Sequence, residues 1–152
     1  VQRMLELEVP ELTDGTVELR AIAREAGSRT KIAVFSNDPN VDPKGACVGS
    51  RGSRVRQIVN ELKGEKLDVV EWREDKVRFI IEALGPADID EVIIDEHTQS
   101  AKVIVKDSQL SLAIGKEGQN ARLAAKLTGY KIDIEGLGDS PPEEEQPKQE
   151  EE

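Results

Sequence analysis

One hundred and fifty-two residues suffice for one ordinary domain or two small ones, and 37% hydrophobic residues with 12 glycines is a composition that folds. The single cysteine, Cys47, excludes an internal disulfide, and a single histidine, His97, beside it excludes the usual Cys/His zinc sets, while the longest apolar run, IAVF from Ile32, falls far short of the ~20 residues of a membrane-spanning helix. The net charge of −10 argues against a nucleic-acid partner only until it is placed: residues 136–152 hold seven acids against Lys148, leaving −4 for residues 1–135.

In chain order, VQRMLELE at the start has a short helical pattern, and TVELRAIAR followed by KIAVFS forms a strand pair with a turn between, a β-hairpin. A short helix is expected from Asp42 to Val48. After the glycine-containing stretch 49–52, Val55, Ile58, Val59 and Leu62 fall at i, i+3, i+4 and i+7, the apolar stripe of a helix that Gly64 ends. The strand KLDVVEW follows. Arg73, Glu74 and Asp75 then join it to a second helical pattern, VRFIIEALG, too short a link for a flexible tether. A second hairpin (EVIIDE, AKVIVK), a short helix from Asp107 to Ile114 and a thinner stripe of Ala121, Ala124, Ala125 and the Leu127/Thr128 step come next. The strand YKIDIE closes the series. Beyond it, GLGDSPPEEEQPKQEEE is rich in Pro and Glu with no large apolar residue after Leu137, so a disordered acidic tail is expected over 136–152.

The chain is duplicated. ACVGSRGSRVRQIVNELKGEKLDVV aligns with LAIGKEGQNARLAAKLTGYKIDIE, matching Gly49, Gly52, Arg56, Leu62, Gly64, Lys66 and Asp68 to Gly115, Gly118, Arg122, Leu127, Gly129, Lys131 and Asp133, with Glu61 unmatched. Both copies run helix, strand, strand, short helix, glycine loop, helix, strand. That order predicts an α+β fold of two units, 1–74 and 75–135, each a three-stranded sheet covered on one face by helices and held rigidly against the other.

Two glycines three apart mean little singly; here both pairs join a short helix to the stripe helix and precede the same strand. One reading is a tight helix–helix turn in which glycine supplies positive φ. The other is a phosphate clamp, in which Gly49, Gly52, Gly115 and Gly118 let a sugar-phosphate backbone approach the main chain and the next helix offers its free N–H groups. Charge favours the clamp. Lys44, Arg51, Arg54, Arg56 and Lys63 stand against Glu61 around the first loop, and Lys116, Arg122, Lys126 and Lys131 against Glu117 around the second. Gln119, Asn120 and Asn60 are suited to hydrogen bonds with bases or backbone. Cys47, between Ala46 and Val48, is expected to be a buried thiol, and His97 an exposed turn residue. At 3% aromatic content the chain lacks the several rings of a base-stacking platform. Neither G-x-x-x-x-G-K-[ST] nor G-x-G-x-x-G occurs, and no carboxylate pair accompanies a nucleophile or metal cluster, so no enzyme, cofactor or metal site is expected.

The order αββααβ with a G-x-x-G loop between its central helices resembles the type II KH domain, in two tandem copies. SNDPNVDPKGACVGSRGSRVRQIVNELKGEKLDVVEW and DSQLSLAIGKEGQNARLAAKLTGYKIDI are similar to the first and second KH domains of the NusA family of bacterial transcription factors, over residues 1 to about 135. The resemblance implies a cytoplasmic module that holds single-stranded nascent RNA and acts in pausing, termination and antitermination. Contacts with RNA polymerase and other transcription factors are implied through parts outside this chain, which opens on Val1 and is expected to be a segment of something longer. Gly49, Ser50, Arg51 and Gly52 would form the first clamp, and Gly115, Lys116, Glu117 and Gly118 the second. Glu117 departs from an ideal phosphate clamp in charge. The rival expectation is a protein-docking module with degenerate KH surfaces that bind no RNA.

Overall fold

The computed structural model describes residues 1–137, so the expected disordered tail lies almost wholly outside the described residues. Within them the chain builds the same unit twice. The first has α1 (Gln2–Glu8), a one-turn α2 (Pro10–Thr13), β1 (Val17–Glu25), β2 (Arg29–Ser36), α3 (Pro43–Val48), α4 (Ser53–Glu61) and β3 (Lys66–Glu71). The second has α5 (Lys76–Ala83), β4 (Glu91–Asp95), β5 (Ser100–Val105), α6 (Asp107–Ile114), α7 (Gln119–Thr128) and β6 (Lys131–Gly136). The last strand thus takes in Gly136, and the Leu137 amide still bonds to the Val105 carbonyl at 2.9 Å. Helix α2, absent from the sequence reading, starts with Pro10 at its first turn, where the missing N–H costs nothing.

Each sheet has three strands with the hairpin's second strand in the middle, in the orders β1-β2-β3 and β4-β5-β6. The hairpin pairs are antiparallel, with Ile22 opposite Ile32 and Val92 opposite Val103. The outer pairs are parallel, with Ile32 beside Val69 and Val103 beside Ile134. A parallel pair needs a crossover, and the two helices flanking each glycine loop supply it. Asp42 caps α3 by accepting from the Lys44 amide, and Asp75 caps α5 by accepting from Val77.

The first sheet is covered on one face by its own helices, as expected, and on the other by the second unit. Its helix-covered face holds Leu5, Val9, Val17, Ile32, Val34, Cys47, Ile58 and Leu67. Its other face is not open to water: Ala23, Ala33 and Val70 join Phe79, Ile80, Ala83, Leu84, Val103, Leu123 and Leu127 in one core cluster that crosses from unit to unit. In consequence the five residues Thr30 to Val34 of β2 are all buried. The small alanines let α7 lie close against the sheet. Helix α7 is therefore enclosed by both units, and its inward row is Asn120, Leu123, Ala124 and Leu127, rotated from the expected alanine stripe. Trp72 wedges the connection, its ring 5.6 Å from Phe35 and 6.2 Å from Phe79, with Arg20 over Phe35 and Trp72.

Buried charge fixes the tip of the first hairpin. Glu65, 1% exposed, accepts from Arg24 at 2.9 and 2.8 Å, from the Thr30 hydroxyl at 2.5 Å and from the Gly27 amide at 2.9 Å. The Arg24 bonds hold its carboxyl near pKa 2 rather than the ordinary 4.5. Since the folded value is lowered, this stabilisation is complete above about pH 4.5 and is lost as pH falls toward 2. Glu65→Gln is expected to be less stable than the parent at pH 7, with the gap narrowing below about pH 4.5. Denaturant unfolding followed by Trp72 fluorescence between pH 7 and 3 measures it; a gap constant with pH contradicts the assignment. Lys31, fully buried, donates to Asp68 at 2.9 Å and to the Gly85 carbonyl of the second unit at 3.3 Å; burial lowers its pKa, with Asp68 opposing.

Candidate nucleic-acid interface

The two glycine loops have one conformation. Gly49 (φ 79°, ψ 173°) and Gly115 (φ 82°, ψ 169°) sit in backbone space open essentially to glycine alone. Arg51 and Glu117 follow at φ 53° and 56°, and Gly52 and Gly118 are left-handed at φ 75° and 77°. A β-carbon on Gly49 would lie 2.9 Å from the Arg54 amide nitrogen, and one on Gly115 2.7 Å from that of Asn120. The first glycine of each pair is thus required by the loop's own packing on the following helix, whatever approaches from outside. Turn geometry and an accessible loop tip coexist here.

Symmetry extends to the side chains that brace the loops. Arg54 Nη1 donates to the Ala46 carbonyl at 2.6 Å, and at the equivalent position Asn120 Nδ2 donates to Ala113 at 2.9 Å; both groups satisfy the end of the preceding short helix. Arg56 Nη1 donates to the Arg51 carbonyl, and Arg122 Nη1 to the Glu117 carbonyl at 2.8 Å, tying each loop to its own helix. Asn120 is only 7% exposed and also bonds to the Leu84 carbonyl at 3.0 Å, so its amide faces inward rather than toward a ligand. Arg54 further pairs with Glu11 at 3.1 Å. Four residues expected at a phosphate surface therefore carry structural duties.

One of these four, Arg122, also reaches across the seam, and Gln119 joins it. Arg122 meets Glu25 of the first unit through Nε at 2.6 Å and Nη2 at 2.9 Å, while Gln119 Nε2 donates to Glu25 at 3.0 Å and to the Ser28 hydroxyl at 2.7 Å. The Arg122 bonds first, then that of Gln119, lower the Glu25 carboxyl to about 2. The second glycine loop is thereby fastened to the first unit's hairpin.

What remains exposed at the loop tips is Ser50 and Arg51 on one side and Lys116 and Glu117 on the other, with Lys126 on the open face of α7. Lys44 is exposed on α3, its Nζ 3.9 Å from Glu82. Cys47 is buried and its thiol is pushed up to about 11 by burial, as expected of an inert packing group. His97 is exposed in its turn. Three of the four aromatic rings gather around Trp72 and lie against each other and Arg20, away from the glycine loops. Among the described residues no helix is long and apolar enough to cross a membrane.

Comparison with known proteins agrees with this duplicated geometry. The family described as NusA-like first KH domain matches residues 1–72, and that described as NusA-like second KH domain matches 76–141. The chain is 59% identical over 140 residues to the transcription termination/antitermination protein NusA of Bacillus subtilis, covering 92% of this chain and 38% of that protein. The proteins of the same name from Mycobacterium tuberculosis H37Rv and Thermus thermophilus are 55% and 49% identical, with 93% and 89% of this chain and 41% and 35% of theirs covered. The chain thus spans about two fifths or less of these relatives. A solved structure titled "Crystal structure of APE1850" shares the fold, with TM-score 0.61 at 23% identity over 88% of this chain and 96% of that one. Two different models fall in order on the two copies of one unit, and the chain belongs to the NusA-like KH family, carrying its first and second KH domains in tandem.

Proposed function

We propose that this chain is a single-stranded RNA-binding module, units 1–74 and 75–135, in which the two G-x-x-G loops clamp the RNA backbone. The observation that carries this reading is the identical conformation of Gly49–Gly52 and Gly115–Gly118, each braced from behind and bare at its tip. The first amides of a helical turn have no partner within it, and those of Ser50, Arg51, Lys116 and Glu117 are placed to receive a phosphate, with Arg51, Lys116, Lys44 and Lys126 supplying the cations. Arg54, Arg56, Gln119, Asn120 and Arg122 act by holding the loops in place. With about four nucleotides per KH clamp, the pair takes unpaired RNA of roughly eight or more.

Its setting, by kinship with relatives named as transcription termination/antitermination proteins, is transcription in the bacterial cytoplasm. There it holds nascent RNA while RNA polymerase and other factors are met by other parts of the longer protein. It performs no chemistry of its own. Titrating a labelled unstructured 12-nucleotide RNA at two salt concentrations tests the reading. Affinity should fall steeply with salt as counterions are released; absence of binding at low salt would favour protein docking instead.

A further inference from the structure

Two clefts adjoin where the units meet. One, of about 270 Å³, lies beside the second clamp and includes Lys116. The other, of about 380 Å³, follows the outer strand β3 and includes Lys44. Arg29 and Pro86 line both. Arg29 opens β2 and is held rigidly: its Nη1 donates to both oxygens of Asp68 at 2.8 Å. Buried Lys31 donates to the same carboxylate at 2.9 Å. Two cations thus share one carboxylate, and Glu82 in the second cleft stands 3.9 Å from Lys44. The hydrogen bonds of Arg29 to Asp68 run through Nη1, and its side chain, 24% exposed, lines both clefts.

We propose that Arg29 is a third RNA contact, binding the phosphate of the nucleotide step that crosses from the groove of the first unit to the second clamp. Lys44, Arg29 and Lys116 then form a line of cations along one continuous groove. A partly exposed guanidinium pinned through one nitrogen is pre-oriented for a phosphate, at less entropic cost than a free lysine. No glycine loop lies near Arg29 in the sequence, which is why motifs pass over it.

The inference rests on the RNA-binding reading, and the test separates them. Anisotropy titrations with a labelled, mixed-sequence, unstructured 12-nucleotide RNA and with a 4-nucleotide RNA compare Arg29→Gln with the parent. For the 12-mer, affinity should fall roughly three- to tenfold and the salt slope by about 0.7, one phosphate of single strand, while the 4-mer is unaffected. A folded Arg29→Gln with unchanged 12-mer affinity, or equal losses on both RNAs, overturns the assignment. If Arg29→Gln unfolds, Arg29→Lys keeps a cation beside Asp68 and should retain the slope yet lose roughly two- to threefold in affinity; parental affinity in that variant would equally overturn it. If the parent binds no RNA the broader reading fails, whereas loss of binding on acidifying Ser50 and Arg51 with Arg29 silent defeats only this inference.

Discussion

Replacing Ser50 and Arg51 together with Asp is expected to weaken binding of a 12-nucleotide RNA by roughly 10- to 100-fold at low salt while leaving the fold intact. The change removes one cation and adds two carboxylates at the loop tip. Each unit charge about 4 Å from a phosphate is worth about 1 kcal/mol in water, so the three changes together approach two decades before screening. The backbone tolerates the substitution for a specific reason. Arg51 sits at φ 53°, and Asp is among the few non-glycine residues that adopt the left-handed region readily. The brace from Arg56 reaches the carbonyl of residue 51, not its side chain, so it survives. Thermal stability should shift by only about ±0.5 kcal/mol, the range of exposed positions. Anisotropy with a melt of the same sample checks both halves, and parental affinity in a folded variant would remove the first clamp from the account.

Ala33→Leu is expected to strike at the seam. Ala33 is fully buried within the core shared by the two units. Extra methylenes there have nowhere to go but against α7, so overpacking should cost about 1–3 kcal/mol and lower the melting temperature by roughly 3–10 °C. Because α7 begins at the second glycine loop, displacing it also misaligns the clamps. Affinity for a 12-mer should drop while a tetranucleotide binds as before. Ile22→Leu on the neighbouring strand, 44% exposed, serves as the control and should change stability by about 0.5 kcal/mol or less. Equal melting temperatures for the two variants would mean that the units are merely tethered.

The topology was legible because a duplicated pattern constrains itself: Gly49 to Asp68 and Gly115 to Asp133 each read as loop, helix and strand, and each copy vouches for the other. Which cations are free was not legible. Arginine and asparagine suit phosphates and helix-end carbonyls equally well, and only distance tells that Arg54, Arg56, Asn120 and Arg122 are spent on Ala46, Arg51, Ala113 and Glu117. The stripe of α7 was misjudged for a related reason. Its buried row, Asn120, Leu123, Ala124 and Leu127, is spaced i, i+3, i+4 and i+7, but it opens on a polar asparagine whose inward hydrogen bonds no periodicity shows. A signal for the second buried face did exist in the alanines at 21, 23 and 33 and in the lysine embedded among the apolar residues of β2. A strand open to water on one face has no use for small residues there, whereas one that receives a helix does.

In this reading the two glycine loops form one RNA site. The most direct measurement is an amide NMR titration of the chain with a single unstructured 12-nucleotide RNA. Resonances of Gly49–Gly52 and Gly115–Gly118 should move together and saturate at one RNA per chain, with Arg29 following the same isotherm. Saturation of the two loops at different RNA concentrations, or a titration in which neither loop moves while RNA binds, would contradict it.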